Sequence, residues 1–461
     1  MDAHEKELLE KEGKYCSQGD TVHYLEPPKF FDRCEGSYLI DRQGTRFLDL
    51  QMWYSATSFG YANKRLGEAL KKQIDKLPQL ACQYLHEEKI GLAEKIAKSM
   101  ERLFGEKGRV HFNVGGAQAV EDSLKLVRNH TKRNLMFAFM GGYHGRTLGA
   151  TAITSSYRYR RRYGHFSDRA QFVPYPYCYR CPYDKKYPDC GMYCVKQFEK
   201  LFETEYNGVL DNKTGECEYG AFYVESIQGT GGYVIPPKEY FPMLKEILDK
   251  HKVLLVDDEI QMGFHRAGKL WSMANFKVTP DIVVFGKALT NGLNPLSGIW
   301  AKEELINPEV FPAGSTHSTF SSNTLGTAVG LELMKMLEEK DYEASVTQKG
   351  SSFLGRLKKL KEKYPKVIGD VDGMGLALRM EIVQADGYAP DRHLADKIFA
   401  AGMQGDLKDS QGKNIGLVLD VGGYYKNVFT IAPCFDISEA EMDLAADLFE
   451  QLIKRCAKDR I

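Results

Sequence analysis

The sequence lacks several features that would assign it to particular classes of protein. No uninterrupted apolar run is long enough to span a bilayer, and the charged residues 1–7 lack the apolar core of a signal peptide. An excess of charge of one sign is also absent, because 62 Lys and Arg residues balance 62 Asp and Glu residues. Composition therefore gives no attraction to nucleic acid or to acidic membranes. These absences predict a soluble cytoplasmic protein that binds neither nucleic acid nor membrane.

The order of apolar segments predicts an α/β protein. The 461 residues are enough for a large core and for two domains. From 110 to about 302, apolar strand candidates alternate with helices, which predicts a mostly parallel sheet covered on both faces. After a helix at 323–337, the chain suits a smaller α+β domain, which we expect the N-terminal strands near 37–50 to join. The predicted divisions are a segment that contributes to the small domain, a large domain and a C-terminal small domain, at 1–60, 61–330 and 331–461.

Two strand candidates lead to an acid and an amine. The apolar run 253–257 precedes Asp258, and the apolar run 282–285 precedes Lys287. Ligand-site residues of parallel sheets collect at strand ends, so we expect both side chains to face one site. Such a pair suits pyridoxal phosphate (PLP), because the amine forms a Schiff base with the aldehyde and the carboxylate holds a proton on the pyridine nitrogen. Gln261 adds an amide for the phenolic oxygen. The alternative is an ordinary strand end with solvated acids. The presence of Lys287 favours the cofactor site over this alternative.

Two segments are candidates for binding the phosphate. Gly115 and Gly116 lie between a strand and a helix that we expect to begin near Ala119. Backbone N–H groups and a helix N-terminus can approach an anion there, although a plain strand-to-helix turn has the same appearance. Residues 316–323 are rich in Ser and Thr and precede another helix, where a helix cap is the alternative.

Other candidate ligand contacts follow two further strands. The loop 141–147 offers Tyr143 to stack on a pyridine face and Arg146 to bind a carboxylate. A glycine-rich loop with a surface arginine is the alternative. Glu225 ends another strand candidate, at the edge of the sheet where ligands bind.

In this order and spacing, the motifs resemble those of class III aminotransferases, a group of PLP fold type I enzymes that includes ornithine and 4-aminobutyrate aminotransferases. The resemblance extends from about residue 36 to the C-terminus. Residues 258–263 match the family's Asp-Glu-(Val/Ile)-Gln-(Thr/Met)-Gly motif, and Lys287 matches its Schiff-base lysine. The resemblance implies a large domain with a mostly parallel central sheet, a smaller α+β domain built from both chain termini, and a transaminase activity. It implies that Lys287 and Asp258 are catalytic and that PLP is bound by Gly116, Ala117, Tyr143, Glu225, Asp258, Ile260, Gln261, Lys287 and Thr319.

The same resemblance implies partners and substrate contacts. Thr319 matches a residue that reaches the phosphate of the neighbouring subunit in relatives, which implies a homodimer with its sites at the interface. Trp53 and Tyr54 match a loop that lines the substrate entrance, with interface packing as the alternative role. Arg146 takes the place of an arginine that holds the distal carboxylate in 4-aminobutyrate aminotransferase. The expected substrates are a small-molecule amine and a 2-oxo acid such as 2-oxoglutarate.

The chain departs from the family near its C-terminus. Thr430 stands where relatives carry an arginine that grips the α-carboxylate, and a hydroxyl cannot replace a bidentate guanidinium. The run 158–163 is locally very basic; most such runs are solvated faces, but near an active site they can hold phosphates. These departures motivate the hypothesis that the amino donor is a β-aminoacyl-CoA thioester such as 3-aminobutyryl-CoA, as in acyl-CoA β-transaminases. Arg379, where relatives tend to have a small residue, is expected on the surface of a strand.

Four of the ten cysteines form two pairs with zinc-like spacing, at Cys178, Cys181, Cys190 and Cys194. Aminotransferase chemistry needs no metal, and a chain of this kind keeps its thiols reduced. We therefore favour buried reduced cysteines beneath a surface excursion over a zinc site, and predict no metal ligand.

Three alternatives to the main hypothesis stay open. An amino-acid racemase or epimerase on the same fold uses the same lysine and the same ring, and differs in where the proton returns. An ω-amino acid aminotransferase of the 4-aminobutyrate type would use Arg146 for a distal carboxylate. A non-catalytic protein that binds a metal or a nucleotide is disfavoured by the retention of Lys287, Asp258 and Gln261.

Overall fold

The computed structural model describes residues 1–19, 23–164, 166 and 170–460. Its strands are β1 Phe31–Glu35, β2 Tyr38–Asp41, β3 Arg46–Asp49, β4 Gly108–Asn113, β5 Leu135–Phe139, β6 Gln171–Val173, β7 Tyr219–Val224, β8 Leu254–Asp258, β9 Ile282–Phe285, β10 Ser297–Lys302, β11 Ile368–Met374, β12 Ala377–Ile382, β13 Leu407–Lys408, β14 Asn414–Val418, β15 Asp420–Gly422 and β16 Val428–Ile431. Its helices are α1 Ala3–Tyr15, α2 Met52–Ser55, α3 Lys64–Lys76, α4 Glu87–Phe104, α5 Gly116–Thr131, α6 Leu148–Ala152, α7 Tyr157–Arg160, α8 Tyr193–Glu199, α9 Tyr240–Lys250, α10 Glu303–Ile306, α11 Thr324–Glu339, α12 Tyr342–Lys363, α13 Arg392–Gly402 and α14 Glu439–Cys456.

The largest sheet has seven strands in the order β4-β10-β9-β8-β7-β5-β6. β10 is antiparallel to both of its neighbours, and the pairs from β9 to β6 are all parallel. The prediction of a mostly parallel sheet is therefore confirmed. The non-sequential strand order follows from helical crossovers, which parallel strands require.

Apolar side chains on both faces explain why this sheet is buried. In β9, Ile282 and Val284 belong to the core cluster that contains α5, whereas Val283 and Phe285 belong to the cluster that contains α4 and α11. Successive residues of a strand point to opposite faces, so a strand covered on both sides is apolar throughout. Each such side chain contributes roughly 1.5–3 kcal/mol by leaving water.

Two smaller sheets join the ends of the chain. One has the order β1-β2-β3-β14-β13, in which β3 is parallel to β14, so N-terminal strands pair with C-terminal ones as expected. The other has the order β11-β12-β16-β15. The exact divisions at 60 and 330 stay a prediction. Among the described residues, no helix is long and apolar enough to cross a membrane.

The expectation that Arg379 lies on the surface is wrong. Its side chain is 2% exposed on β12, where it donates hydrogen bonds to Glu381 and Tyr177 and lies 3.5 Å from Asp370. Two carboxylates and a phenol offset the cost of burying the guanidinium. The sequence alone does not reveal this, because Asp370 and Tyr177 come from other elements.

The cysteines are less buried than expected. Cys178 is exposed, and Cys181, Cys190 and Cys194 are partly buried beside one pocket. All four thiols are free. Among the residues that the structure describes, no three or more His, Cys, Asp or Glu side chains are arranged to hold a metal ion. The absence of a metal ligand stays a prediction.

Candidate active site

Two neighbouring strands bring the predicted acid and amine to one edge of the large sheet. β8 and β9 are parallel, and Asp258 lies beside Val284 in their register. Because β9 ends at Phe285, Lys287 leaves the sheet at the edge where β8 ends. Lys287 has a φ of 38°, a left-handed conformation that is uncommon outside glycine and that is found at functional sites.

Burial lowers the pKa of Lys287, and the negative charges of Asp258, Glu225 and Asp420 oppose that effect in part. A lowered pKa makes the neutral amine more available near neutral pH. The neutral form is the one that can attack a carbonyl carbon or accept a proton.

A buried histidine holds Asp258. His144 Nδ1 donates a hydrogen bond to Asp258 Oδ2 at 2.8 Å, and the Ile260 backbone N–H donates to Oδ1 at 3.2 Å. Burial would lower the pKa of His144, but the hydrogen bond and the charge of Asp258 outweigh it and raise that pKa. These contacts fix the orientation of the carboxylate, as supporting residues must in a reactive site.

Glu225 lies after β7 and is almost completely buried. Its carboxyl group accepts hydrogen bonds from the backbone N–H groups of Tyr143 at 2.9 Å and of Gly229 at 2.8 Å. Burial raises the pKa of Glu225 to about 7. The carboxyl therefore ties the Tyr143 loop to the loop after β7, and it is partly protonated at neutral pH.

The glycine turn after β4 leads straight into a helix. α5 begins at Gly116, three residues before the predicted start near Ala119, with Gly115 as its N-cap. No side chain of the described residues caps α5, and open space lies next to Gly115. A Cβ on Gly116 would lie 2.8 Å from Ile260 Cδ1, so only glycine fits without a shift. The first-turn N–H groups, including that of Ala117, therefore form a site suited to an anion.

A chain of hydrogen bonds positions Gln261. Tyr233 Oη lies 3.0 Å from Gln261 Nε2 and 3.2 Å from Ser55 Oγ. A Cβ on Gly229 would lie 2.2 Å from Gln261 Oε1, so the amide is packed closely on that side. The amide orientation is thus set by neighbours rather than by solvent.

One wide cleft contains Lys287. We call the part around Lys287 the inner end: Lys287, Gln261 and Asp420 line the cleft there, and the carboxyl groups of Asp258 and Glu225 act on the lysine. We call its cationic part the basic rim, formed by Arg146, Arg158, Arg161, Arg162, Arg392 and Lys426. Glu26 and Asp396 are the acids that line the cleft outside the inner end among the described residues. Tyr54 and Tyr143 also line it, and the Arg146 guanidinium lies 4.6 Å from the centre of the Tyr159 ring.

Among the residues predicted to contact the substrate or the neighbouring subunit, two do not line this cleft in the single chain. Trp53 is 55% exposed and packs against Gly292, while its neighbour Tyr54 faces the cleft. Residues 52–55 form a left-handed turn with φ between 45° and 67°, which is costly for residues other than glycine. Thr319 is exposed, next to Phe320 at 71% exposure, and does not line the cleft of its own chain.

Several residues of the site, Arg392 of the basic rim among them, were not predicted. His144 and Tyr233 act on Asp258 and Gln261 through hydrogen bonds, and Lys426 belongs to the basic rim. Asp420 begins β15 and lies opposite Thr430 of β16, whose Oγ1 donates a hydrogen bond to Asp420 Oδ2. His144 could have been predicted, because it lies inside the loop 141–147. Asp420 could not have been predicted, because its importance depends on the pairing of β15 with β16.

The donor set matches the parts of PLP. The uncapped N-terminus of α5 suits the phosphate, the Tyr143 ring suits a pyridine face, and Gln261 suits the phenolic oxygen. Asp258 is a carboxylate for the ring nitrogen, and Lys287 is an amine for the aldehyde. The residues that are present therefore fit this cofactor.

A mostly parallel sheet with a lysine and an aspartate at adjacent strand ends defines the class of PLP fold type I enzymes. The family model "Aminotransferase class-III" matches residues 21–453. The chain belongs to the class III aminotransferases, and its cofactor is PLP.

Individual relatives support the family and differ in activity. The chain is 31% identical to an alanine/serine racemase from Pyrococcus horikoshii, over 97% of this chain and 90% of that one. It is 29% identical to a diaminobutyrate–2-oxoglutarate aminotransferase from Haemophilus influenzae, over 92% and 90% of the two chains. A crystal structure of a Bacillus anthracis aminotransferase superposes with a TM-score of 0.85 at 27% identity, covering 99% of this chain and all of that one.

Proposed function

We propose that this aminotransferase takes its amino group from an amine whose neighbouring carboxyl is masked, namely a β-aminoacyl-CoA thioester such as 3-aminobutyryl-CoA. A 2-oxo acid such as 2-oxoglutarate would accept the amino group. The observation that carries the proposal is the distribution of charge along the cleft. Asp420 lines the cleft together with Lys287 and Lys426, which act on it through their charge, whereas the five arginines of the basic rim are exposed along the same cleft.

The charge pattern suits a substrate that is neutral near the reacting carbon and anionic far from it. Thr430 is 2% exposed and its hydroxyl is bound to Asp420, so it offers no cation to a carboxylate. Arg379 lies opposite Thr430 in the sheet, but Glu381 and Asp370 already neutralise it. Coenzyme A carries phosphates at a distance from its thioester, which places them toward the basic rim.

Lys287, supported by Asp258 and Gln261, supplies the proposed proton transfers. When bound, PLP provides an aldehyde for the amine and a protonated ring that withdraws electrons from the substrate carbon. Lys287 Nζ would accept and return the proton released at that carbon, and its pKa, lowered by burial, favours this base role. Asp258, oriented by His144, would hold a proton on the ring nitrogen, and Gln261, positioned by Tyr233, would offer its amide to the phenolic oxygen.

A comparison of two donors tests the substrate proposal. Purified enzyme with PLP is mixed with 3-aminobutyryl-CoA or with free 3-aminobutyrate, and kcat/KM is measured with 2-oxoglutarate as acceptor. The thioester should be turned over at least about tenfold more efficiently, which corresponds to about 1.4 kcal/mol. Equal efficiency would contradict CoA recognition. Free 4-aminobutyrate belongs in the same series, because Arg146 lines the cleft and could hold a distal carboxylate.

The racemase relative supports a second candidate function. Racemisation and transamination use the same lysine and the same cofactor, so the site geometry accommodates both. L-alanine and L-serine, incubated with the enzyme and no 2-oxo acid, would lose optical rotation if the chain were a racemase. Conversion of the cofactor to pyridoxamine phosphate without inversion would support transamination.

A homodimer is the proposed assembly. Thr319 and Phe320 are exposed and lie outside the cleft of their own chain, which agrees with a role at a neighbouring subunit's phosphate. Sedimentation velocity should give twice the mass of the chain at micromolar concentration. Thr319→Ala should weaken PLP binding without changing that mass. A fully active monomer would contradict the proposal.

A further inference from the structure

We propose that Asp420, held by Thr430, determines specificity by excluding substrates that carry a free carboxylate next to the reacting carbon. The inference rests on the proposed function and names the residue responsible for its substrate preference. Asp420 does not contact Asp258 or the α5 turn through any hydrogen bond in the described structure, so it is not needed to hold the cofactor. Its position in the cleft gives it another role.

Asp420 faces the space in front of Lys287. Both residues line the cleft, and each affects the pKa of the other through its charge. Asp420 lies at the start of β15, an edge strand of the sheet β11-β12-β16-β15. A substrate bound to the amine end of the site therefore extends past this carboxyl group.

The surroundings hold Asp420 in place. Thr430 Oγ1 donates a hydrogen bond to it, and the side chain of Gln51 offers another. The hydroxyl and the amide bind the carboxyl group without supplying a positive charge, and the cations that act on it are Lys426 and Lys287, whose pKa values burial lowers. A carboxylate of the substrate in this space would meet a like charge, which disfavours its binding.

A cationic substrate is the other occupant that an acid could favour. The basic rim argues against it, because six Arg and Lys residues line the path to Asp420 against two acids, Glu26 and Asp396, among the described residues of the outer cleft. A diamine would be repelled along the whole path. A substrate with a neutral carbonyl near its amine and an anionic group farther away is compatible with both Asp420 and the basic rim.

Three donors separate this inference from the CoA proposal. They are free 3-aminobutyrate, its N-acetylcysteamine thioester and 3-aminobutyryl-CoA. The first two differ in the charge on the carboxyl group, and the last two differ in the phosphates. The contrast between free acid and short thioester reports on Asp420, and the contrast between short thioester and CoA thioester reports on the basic rim.

The test variants are Asp420→Asn and Asp420→Ser, with Asp396→Asn as the matched control. Asparagine keeps the shape and can still accept from Thr430, and serine provides a second variant if the first folds poorly. Asp396 also lines the cleft, but its side chain is 55% exposed and lies 3.4 Å from Arg392. The visible absorption of bound PLP verifies that each variant has an intact site.

We expect Asp420→Asn to raise kcat/KM for free 3-aminobutyrate by about tenfold or more, and to leave the short thioester within about threefold. The affinity for the unreactive acid butanoate, measured by calorimetry, should rise while that for butanamide stays constant. Asp396→Asn should change neither the ratio of kcat/KM between the free acid and the short thioester nor the ratio of affinities for butanoate and butanamide. If neither Asp420 variant gains activity or affinity for the free acid, the inference is overturned. If kcat/KM for the free acid rises in the Asp420 variants but the CoA thioester and the short thioester have equal kcat/KM, the inference about Asp420 stands and the proposal of CoA recognition is contradicted.

Discussion

The inner end and the basic rim of the cleft use charge in opposite ways. At the inner end, three carboxyl groups act on the single amine of Lys287, and hydrogen bonds hold each of them. The basic rim consists mostly of exposed arginines. Buried charges interact strongly and are little screened, whereas exposed charges act over distance and weaken with salt. Chemistry should therefore depend on the inner end, and substrate capture on the rim.

The largest effect is expected at the amine itself. Lys287→Ala removes the group proposed to bind the aldehyde and carry the proton, so kcat/KM should fall by at least about 10²–10⁴-fold. The visible absorption of lysine-bound PLP should disappear, as read by spectrophotometry. Lys426→Ala, another lysine of the same cleft, should keep that absorption. Borohydride reduction followed by peptide mapping should label Lys287; a label elsewhere would contradict its role.

Much of the large sheet was predictable because its signals are local. β9 is an apolar run whose bounds match the predicted ones, 282–285. Lys287 and Asp258 were predictable because parallel strand ends converge, and this depends only on the order of strands. The short strand β6, at Gln171–Val173, was missed because three residues carry no clear period.

The residues that could not be predicted depend on contacts between distant segments. Arg379 is buried because Glu381, Asp370 and Tyr177 surround it, and two of these come from other elements. Asp420 matters because register places it opposite Thr430. No local pattern contains that register. The replacement of the family's arginine by Thr430 could be recognised in the sequence, but the contact between Thr430 and Asp420 could not.

A pH-dependent effect on stability should distinguish the inner end from the rim. The pKa of Glu225 is about 7 in the folded chain against an ordinary value of 4.5. Between these two values the unfolded chain releases its proton while the folded chain keeps it, so stability falls as pH rises. Relative to Glu225→Gln, the wild type should lose up to about 3 kcal/mol between pH 4.5 and 7.

Urea denaturation of the cofactor-free enzyme at several pH values measures this difference. Glutamine cannot accept both backbone hydrogen bonds, so the variant carries a constant penalty that does not change with pH. Glu303→Gln is the control, because Glu303 is exposed and pairs with Arg109 at the surface. A pH-independent difference for Glu225→Gln would show that folding does not raise the pKa of this carboxyl group.

The smallest effect is expected at the rim. Arg158→Ala and Arg162→Ala each remove one exposed charge, which is worth about 0.2–1 kcal/mol, so KM for 3-aminobutyryl-CoA should rise by no more than about fivefold per substitution. Because phosphates are the proposed partners, the short thioester should be unaffected. The increase should shrink as salt rises toward about 0.1 M and beyond, where the Debye length falls to about 10 Å. Arg33→Ala, an exposed arginine that does not line the cleft, serves as the control. If KM for the short thioester rises equally, or if the rise in KM does not depend on salt, these arginines shape the cleft rather than attract anions. The contrast between the inner end and the basic rim would then lose its electrostatic basis.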